Sequence, residues 1–166
     1  MATPTITTAQ GAADDPNQPM ASGLVATPAH YENWGWLVLQ TGDRLLLTTN
    51  ERVSAVELPA AIGGEVQHYL AVRLLAGPVI ALPGAPLRWL LLTQSADDAA
   101  PVNLVRLRAR GALTHRCGTL VPLPPSRLES GVVSWQVPPS HDGPSLPLFT
   151  AVVAAARAVI GTPGLA

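Results

Sequence analysis

Short apolar runs in the first part of the chain predict a β-hairpin followed by a third strand. Residues 36–40 and 45–49 are apolar and flank Thr41-Gly42-Asp43-Arg44, a polar segment with the glycine that tight hairpin loops favour. A further apolar run at 53–58 follows closely. We therefore expect order to begin near Tyr31 and the first three strands to lie between residues 36 and 58.

The spacing of apolar residues then changes to that of a helix. Residues 59–76 carry apolar side chains mostly three or four positions apart, which is typical of a helix with one buried face. Gly63 and Gly64 weaken its first turn, so regular helix is expected only from Glu65. Gly77-Pro78 predicts its end.

The next segments are predicted to be strands. Residues 79–82 and 88–93 are rich in Val, Ile and Leu with little alternation, as in strands buried on both faces. Residues 102–110 alternate between apolar residues and arginine, which predicts a strand with one basic face.

The last third of the chain combines further strands with a terminal helix. Residues 119–123 and 132–137 flank a Pro-rich loop, and 146–160 form an Ala-rich helix with Pro147 near its first turn. The order of elements predicts an α/β (α+β) domain with a mostly antiparallel mixed sheet and packed helices.

Length and composition favour one small domain without a general affinity for nucleic acid or lipid. The chain has 166 residues and a formal net charge of −1, so nucleic-acid binding would need a local basic patch. Charged residues make up only 13% of the chain. Arginine without lysine, with abundant Ala, Pro and Gly, indicates the coding bias of a GC-rich genome.

The ends of the chain are predicted to lie outside the domain. Residues 1–28 are small, polar and Pro-bearing and predict a disordered arm, leaving residues 29–161 as the domain and 162–166 as a tail. The sequence contains neither a signal-peptide pattern nor an apolar run of membrane-spanning length. A single cysteine excludes an internal disulfide, and we expect a cytoplasmic protein without a membrane partner.

Three landmarks, taken in order, resemble a known family. A strand ends at Val56-Glu57-Leu58-Pro59, and the turn Leu82-Pro83-Gly84 leads into an apolar strand. Residues 118–126, ending in Pro-Pro-Ser, precede a glycine and Trp135. Over residues 31–160 this order resembles the prim-pol domain, the N-terminal domain of bifunctional DNA primase/polymerases in the archaeo-eukaryotic primase superfamily.

The resemblance implies a two-metal nucleotidyltransferase site that this sequence does not complete. The family places an acid-x-acid pair at the end of the early strand and a histidine after the glycine turn. Here Glu57 is followed two positions later by Pro59, and the turn leads to Arg88 and Trp89. No acidic residue lies between residues 98 and 129, where the later acid belongs. One carboxylate cannot hold two divalent ions, so no metal, Mg²⁺ or Mn²⁺ included, is expected unless catalysis is retained.

The arginines of the alternating segment are the main candidate for ligand binding. Arg106, Arg108 and Arg110, extended by Arg116 and Arg88, could contact phosphates of DNA or a nucleotide through their guanidinium forks. The alternative is a solvated edge strand whose charges prevent aggregation. Glu57 is the vestigial position of the family's metal ligand, but we expect it to be a solvated strand-end residue beside a helix N-terminus, where a negative charge is mildly favoured.

The remaining chemistry-bearing residues show no motif. His30, His68, His115 and His141 lack metal-site spacing, and we expect surface or capping roles for them. Cys117 has no partner motif and is expected to be buried or half-buried.

Tryptophan and serine side chains leave further alternatives open. Trp89 and Trp135 are predicted to lie in the core, whereas one of Trp34 and Trp36 could face outward as a partner anchor or base-stacking platform. Ser126 lacks a nucleophile motif.

Three functions therefore remain open. The first is a prim-pol-like domain that has lost catalysis and binds nucleic acid, a nucleotide or a protein. The second is a protein-interaction or regulatory domain without a nucleic-acid role, in which the alanines of the last helix allow close helix packing. The third is an active primase/polymerase with displaced metal ligands.

Overall fold

A computed structural model describes residues 27–96, 101–140 and 142–161 of the chain. Its elements, in chain order, are α1 (Pro28–Glu32), β1 (Val38–Thr41), β2 (Arg44–Thr48), β3 (Ser54–Pro59), α2 (Ala60–Ala71), β4 (Val79–Leu82), β5 (Arg88–Thr93), α3 (Pro101–Arg108), β6 (Leu113–His115), β7 (Leu120–Leu123), β8 (Arg127–Leu128), β9 (Gly131–Val132), β10 (Ser134–Val137) and α4 (Phe149–Gly161).

The strands form an antiparallel five-stranded sheet, a three-stranded sheet and a short hairpin. The five-stranded sheet has the order β10-β4-β5-β3-β6, the three-stranded sheet has the order β1-β2-β7, and β8 pairs with β9. Every pairing between these strands is antiparallel. The α+β class with a mostly antiparallel sheet is thus confirmed.

Two hydrophobic clusters place the five-stranded sheet between helices and the smaller sheet. On one face, Val56 and Leu91 pack with residues of α2 and α4. On the other, Ala55 and Leu90 pack with β1, β2 and β7. Burial on both faces explains why β4 and most of β5 are apolar runs without alternation.

The early hairpin and the two buried strands match the sequence predictions, but α2 does not. The helix begins at Ala60 and not at Glu65, and it ends at Ala71 and not near residue 76. Gly63 is buried in its first half, where a Cβ would lie only 3.0 Å from the Cβ of Trp89. The glycine lets the helix approach β5 closely, and this packing outweighs its poor helix propensity.

The predicted basic strand at 102–110 is wrong, because this segment contains helix α3. The buried side chain is Leu107, with Leu104 partly buried three positions earlier, a helical spacing. Val105, which a strand would place beside Leu107, is 68% exposed. Residues two apart on a helix point in nearly opposite directions, so the arginines do not form one stripe.

The boundaries of the described fold differ slightly from those predicted. Pro28 is the first residue of α1, although it was assigned to the arm, and α4 begins at Phe149 rather than at residue 146. Residues 1–26 of the predicted arm and the tail at 162–166 lie outside the described residues. Among the described helices, none has the length and apolar character needed to cross a membrane.

The close packing of α2 on Trp89 predicts that alanine substitutions at two adjacent glycines have different effects on stability. In Gly63→Ala the new methyl group meets the Trp89 side chain at 3.0–3.4 Å, whereas in Gly64→Ala the nearest atoms of that ring lie at 3.8 Å. We expect Gly63→Ala to be less stable than Gly64→Ala by about 1–3 kcal/mol, while Gly64→Ala stabilises the helix. Urea unfolding measures both, and equal stability of the two variants would contradict the packing.

Candidate functional site

Glu57 lies inside β3, which has a strand on each side in the five-stranded sheet, rather than at a solvated strand end. It is only 8% exposed and lies opposite Leu90 of β5 and Leu113 of β6. The prediction of a solvated residue is therefore wrong. The reason is that β3 is flanked by a strand on each side, which the local sequence does not reveal.

Two side chains on the neighbouring strands contact the Glu57 carboxylate oxygens. Arg88 Nε donates to Oε1, and His115 Nε2 lies 2.7 Å from Oε2. Arg88 Nη2 also donates to the Gly111 carbonyl oxygen at 2.8 Å. Both partners lie diagonally across the sheet from Glu57, within reach of long side chains. We call Glu57, Arg88 and His115 the carboxylate cluster.

The cluster stabilises the charged form of the glutamate. Burial by itself raises the pKa of Glu57, but the hydrogen bonds from His115 and Arg88, together with their charges, outweigh burial and hold this pKa below its ordinary value. His115 was expected at the surface or in a cap, and its side chain is instead only 18% exposed. Sequence reasoning missed this histidine because its partner lies 58 residues away.

Three arginines line an open groove between α3 and α4. Arg106 and Arg110 come from α3 and the turn after it, and Arg157 comes from α4. The groove has a volume of about 670 Å³, and we call it the arginine groove. Its other lining residues are Leu107, Ala109, Ala154, Ala158, Ile160 and Gly161, so none of the described lining residues is acidic.

The other predicted arginines lie outside this groove. Arg108 and Arg116 line a separate hollow of about 220 Å³ on another side of α3, and Arg88 is held in the carboxylate cluster. The five arginines are thus distributed over three places. Sequence reasoning did not single out Arg157. The available signal was that Arg157 is the only charged residue of α4.

The tryptophans predicted as partner anchors belong to an aromatic cluster around Tyr31. Trp36 is 4% exposed and stacks on Tyr31 with ring centroids 5.9 Å apart, so it is not available to a partner. Trp34 is half-buried and packs edge-on against Trp36. Trp89 and Trp135 are partly buried against the two core clusters, as predicted.

The hydroxyl of Tyr31 ties the aromatic cluster to the Pro-rich segment. It donates to the Pro124 carbonyl oxygen at 2.6 Å. Burial, partly opposed by a hydrogen bond with Trp135, raises the pKa of Tyr31 to about 12. The tyrosine is therefore a neutral structural residue.

The remaining candidates have structural or exposed positions. Ser126 is buried and its Oγ both accepts from the Leu45 amide and donates to the Leu45 carbonyl, so it holds the Pro-rich loop to β2. Cys117 is exposed, which corrects the prediction of a buried or half-buried thiol. His141 lies outside the described residues. Within the described part of the chain, no three His, Cys, Asp or Glu side chains are grouped as metal ligands.

Comparison with known proteins adds no relative from which a function could be transferred. No family model matches the chain, and no curated protein or solved structure matches it. The prim-pol resemblance and the residues assigned through it therefore remain predictions.

The carboxylate cluster predicts a stability that depends on pH. Because the pKa of Glu57 is lowered in the folded state, its contribution is complete above the ordinary value of 4.5 and is lost as the pH falls through the folded value. At neutral pH we expect Glu57→Gln to reduce the free energy of unfolding by about 1.5–3 kcal/mol.

Urea unfolding of the wild type and Glu57→Gln across a pH series measures this effect. The difference between them should shrink as the pH is lowered from about 6 to about 3. A difference that stays constant over that range would show that the carboxylate charge does not stabilise the fold.

Proposed function

We propose that this chain is a prim-pol-like domain that has lost nucleotidyl transfer and binds phosphate-bearing ligands, single-stranded nucleic acid above all. The observation that carries the proposal is the arginine groove, in which Arg106, Arg110 and Arg157 share one open surface with no carboxylate among the described lining residues. We also propose a cytoplasmic location, in keeping with the single cysteine.

Electrostatics supports an anionic ligand in the arginine groove. Three guanidinium groups along one groove repel each other, and within the described residues no acidic side chain pairs with any of them. A bound phosphate relieves this repulsion, and the planar guanidinium fork matches phosphate oxygens in pairs. Since the net charge of the chain is −1, such binding depends on this local patch and not on a general attraction.

The size of the groove also suits this ligand class. Its volume of about 670 Å³ lies within the roughly 300–1,000 Å³ of ordinary small-molecule sites, so a nucleotide unit fits. The groove is open at the surface between two helices, and its floor includes Leu107 and Ile160. An open groove of this kind lets a longer strand continue beyond the bound unit.

The carboxylate cluster supports the loss of catalysis. Two-metal transfer requires several carboxylate oxygens on the ions, whereas both oxygens of Glu57 are engaged by Arg88 and His115. Pro59, two positions later, has no side-chain ligand. The Arg88 guanidinium supplies within the protein the positive charge that a metal ion would otherwise provide.

Binding to a fluorescent single-stranded oligonucleotide, measured by anisotropy at several salt concentrations, tests the groove. Three phosphate contacts predict a slope of about −2 for log affinity against log salt, at roughly −0.7 per contact on a single strand. Arg106→Ala, Arg110→Ala and Arg157→Ala should each weaken binding by about five- to tenfold.

Arg44→Ala is the matched control, because Arg44 is an exposed arginine on the three-stranded sheet. It should leave the affinity and the salt slope unchanged. Absence of binding at low salt, or an equal loss in Arg44→Ala, would contradict binding in the arginine groove.

Primer extension tests the loss of catalysis separately. With a primed template and Mg²⁺ or Mn²⁺, we expect the wild type to make no product, because Glu57 is held in its ion pairs. Product formation that disappears in Glu57→Ala would overturn the proposal and restore Glu57 to a metal-binding role.

A further inference from the structure

A second basic hollow lies on α3, apart from the arginine groove. Its lining residues are Leu104, Val105, Arg108, Thr114 and Arg116. Arg108 ends α3, while Thr114 and Arg116 lie in and directly after β6. None of these residues lines the arginine groove, so the hollow is a separate place with its own two cations.

The two arginines are held on rigid backbone. The Arg116 carbonyl oxygen accepts a hydrogen bond from the hydroxyl of Thr49 at 2.5 Å, and Thr49 is fully buried. The Arg108 carbonyl oxygen accepts from the Gly111 amide at 3.0 Å. These hydrogen bonds fix the backbone from which the two side chains reach the hollow, while the guanidinium groups themselves are exposed.

Among the described residues, no acidic side chain compensates the charges in the hollow. In the part of the chain that the structure describes, no ion pair engages Arg108 or Arg116, and no acid lines the hollow. Two adjacent cations without an acid are unfavourable unless an anion lies between them. The Thr114 hydroxyl adds a neutral group that can donate to an oxygen of that anion.

We propose that this hollow, which we call the phosphate hollow, binds a single phosphate group. Its volume of about 220 Å³ lies below the roughly 300 Å³ at which small-molecule sites begin, so it takes a phosphate but not a whole nucleotide. A nucleoside attached to that phosphate would protrude into solvent. The inference does not depend on the arginine groove, because the two sites share no residue.

The single cysteine allows this proposal to be tested directly. Cys117 is exposed and follows Arg116 in the chain, so an environment-sensitive fluorophore attached to it reports on the phosphate hollow. Inorganic phosphate is titrated at constant ionic strength, with chloride as the compensating anion. We expect a saturable fluorescence change with phosphate and none with chloride.

Substitutions of the two arginines test whether the fluorescence change comes from phosphate bound in the hollow. Arg108→Ala and Arg116→Ala should each weaken phosphate binding by about tenfold or more, whereas Arg44→Ala, at an exposed arginine of the three-stranded sheet, should leave it unchanged. Circular dichroism checks that each variant is folded. Calorimetry with the unlabelled chain should give the same affinity, which shows that the fluorophore does not create the site.

Competition by adenosine monophosphate and by adenosine tests whether the hollow also accepts a phosphate group that belongs to a larger molecule. Adenosine monophosphate should compete with inorganic phosphate, and adenosine should not, because only the phosphate enters the hollow. A fluorescence change that chloride reproduces, competition by adenosine, or a loss of binding in Arg44→Ala equal to that in Arg108→Ala would overturn the proposal. None of these outcomes bears on oligonucleotide binding by the arginine groove, which the anisotropy measurement tests separately.

Discussion

A carboxylate inside a β-sheet loses its hydration and must be compensated by charges or hydrogen bonds from the protein. In this fold Glu57 is compensated by Arg88 on one neighbouring strand and His115 on the other. The ion pairs therefore join β3, β5 and β6 at one point through side chains as well as through the backbone ladder. Loss of one partner would leave an unpaired charge between these strands.

The same cluster connects the sheet to the basic surface. Arg88 donates to the carbonyl oxygen of Gly111, which lies in the turn between α3 and β6. Arg110 precedes that glycine, and His115 lies at the end of β6. The turn that carries Arg110 into the arginine groove is thus held by the residue that pairs with Glu57, so the buried carboxylate and the arginine groove share one structural support.

Sequence patterns predicted the elements whose apolar period is unambiguous. β4 and β5 have the predicted bounds because continuous apolar runs are separated by a Pro-Gly turn. The prediction of a strand in place of α3 is wrong because arginine alternates with apolar residues over positions 105–110, although Leu104 and Leu107 already have helical spacing. For α2, helix propensity alone placed the start too late, because the packing of Gly63 on Trp89 is a tertiary contact.

The candidate site was less predictable than the fold. The absence of a second carboxylate at Pro59 and of a histidine at position 88 is visible in the chain. The ion pair of Glu57 with His115 depends on β6 returning to β3 across 58 residues, which no local pattern encodes. The separation of Arg106 from Arg108 likewise follows only from the helical geometry of α3.

A double-mutant cycle on Glu57 and Arg88 tests most directly whether this ion pair holds the fold together. Urea unfolding would be measured for the wild type, Glu57→Gln, Arg88→Met and the double variant at neutral pH. We predict that the two single effects are not additive, with a coupling energy of about 1–3 kcal/mol. Additivity within about 0.5 kcal/mol would show that the two charges act independently and would contradict the central role of the carboxylate cluster.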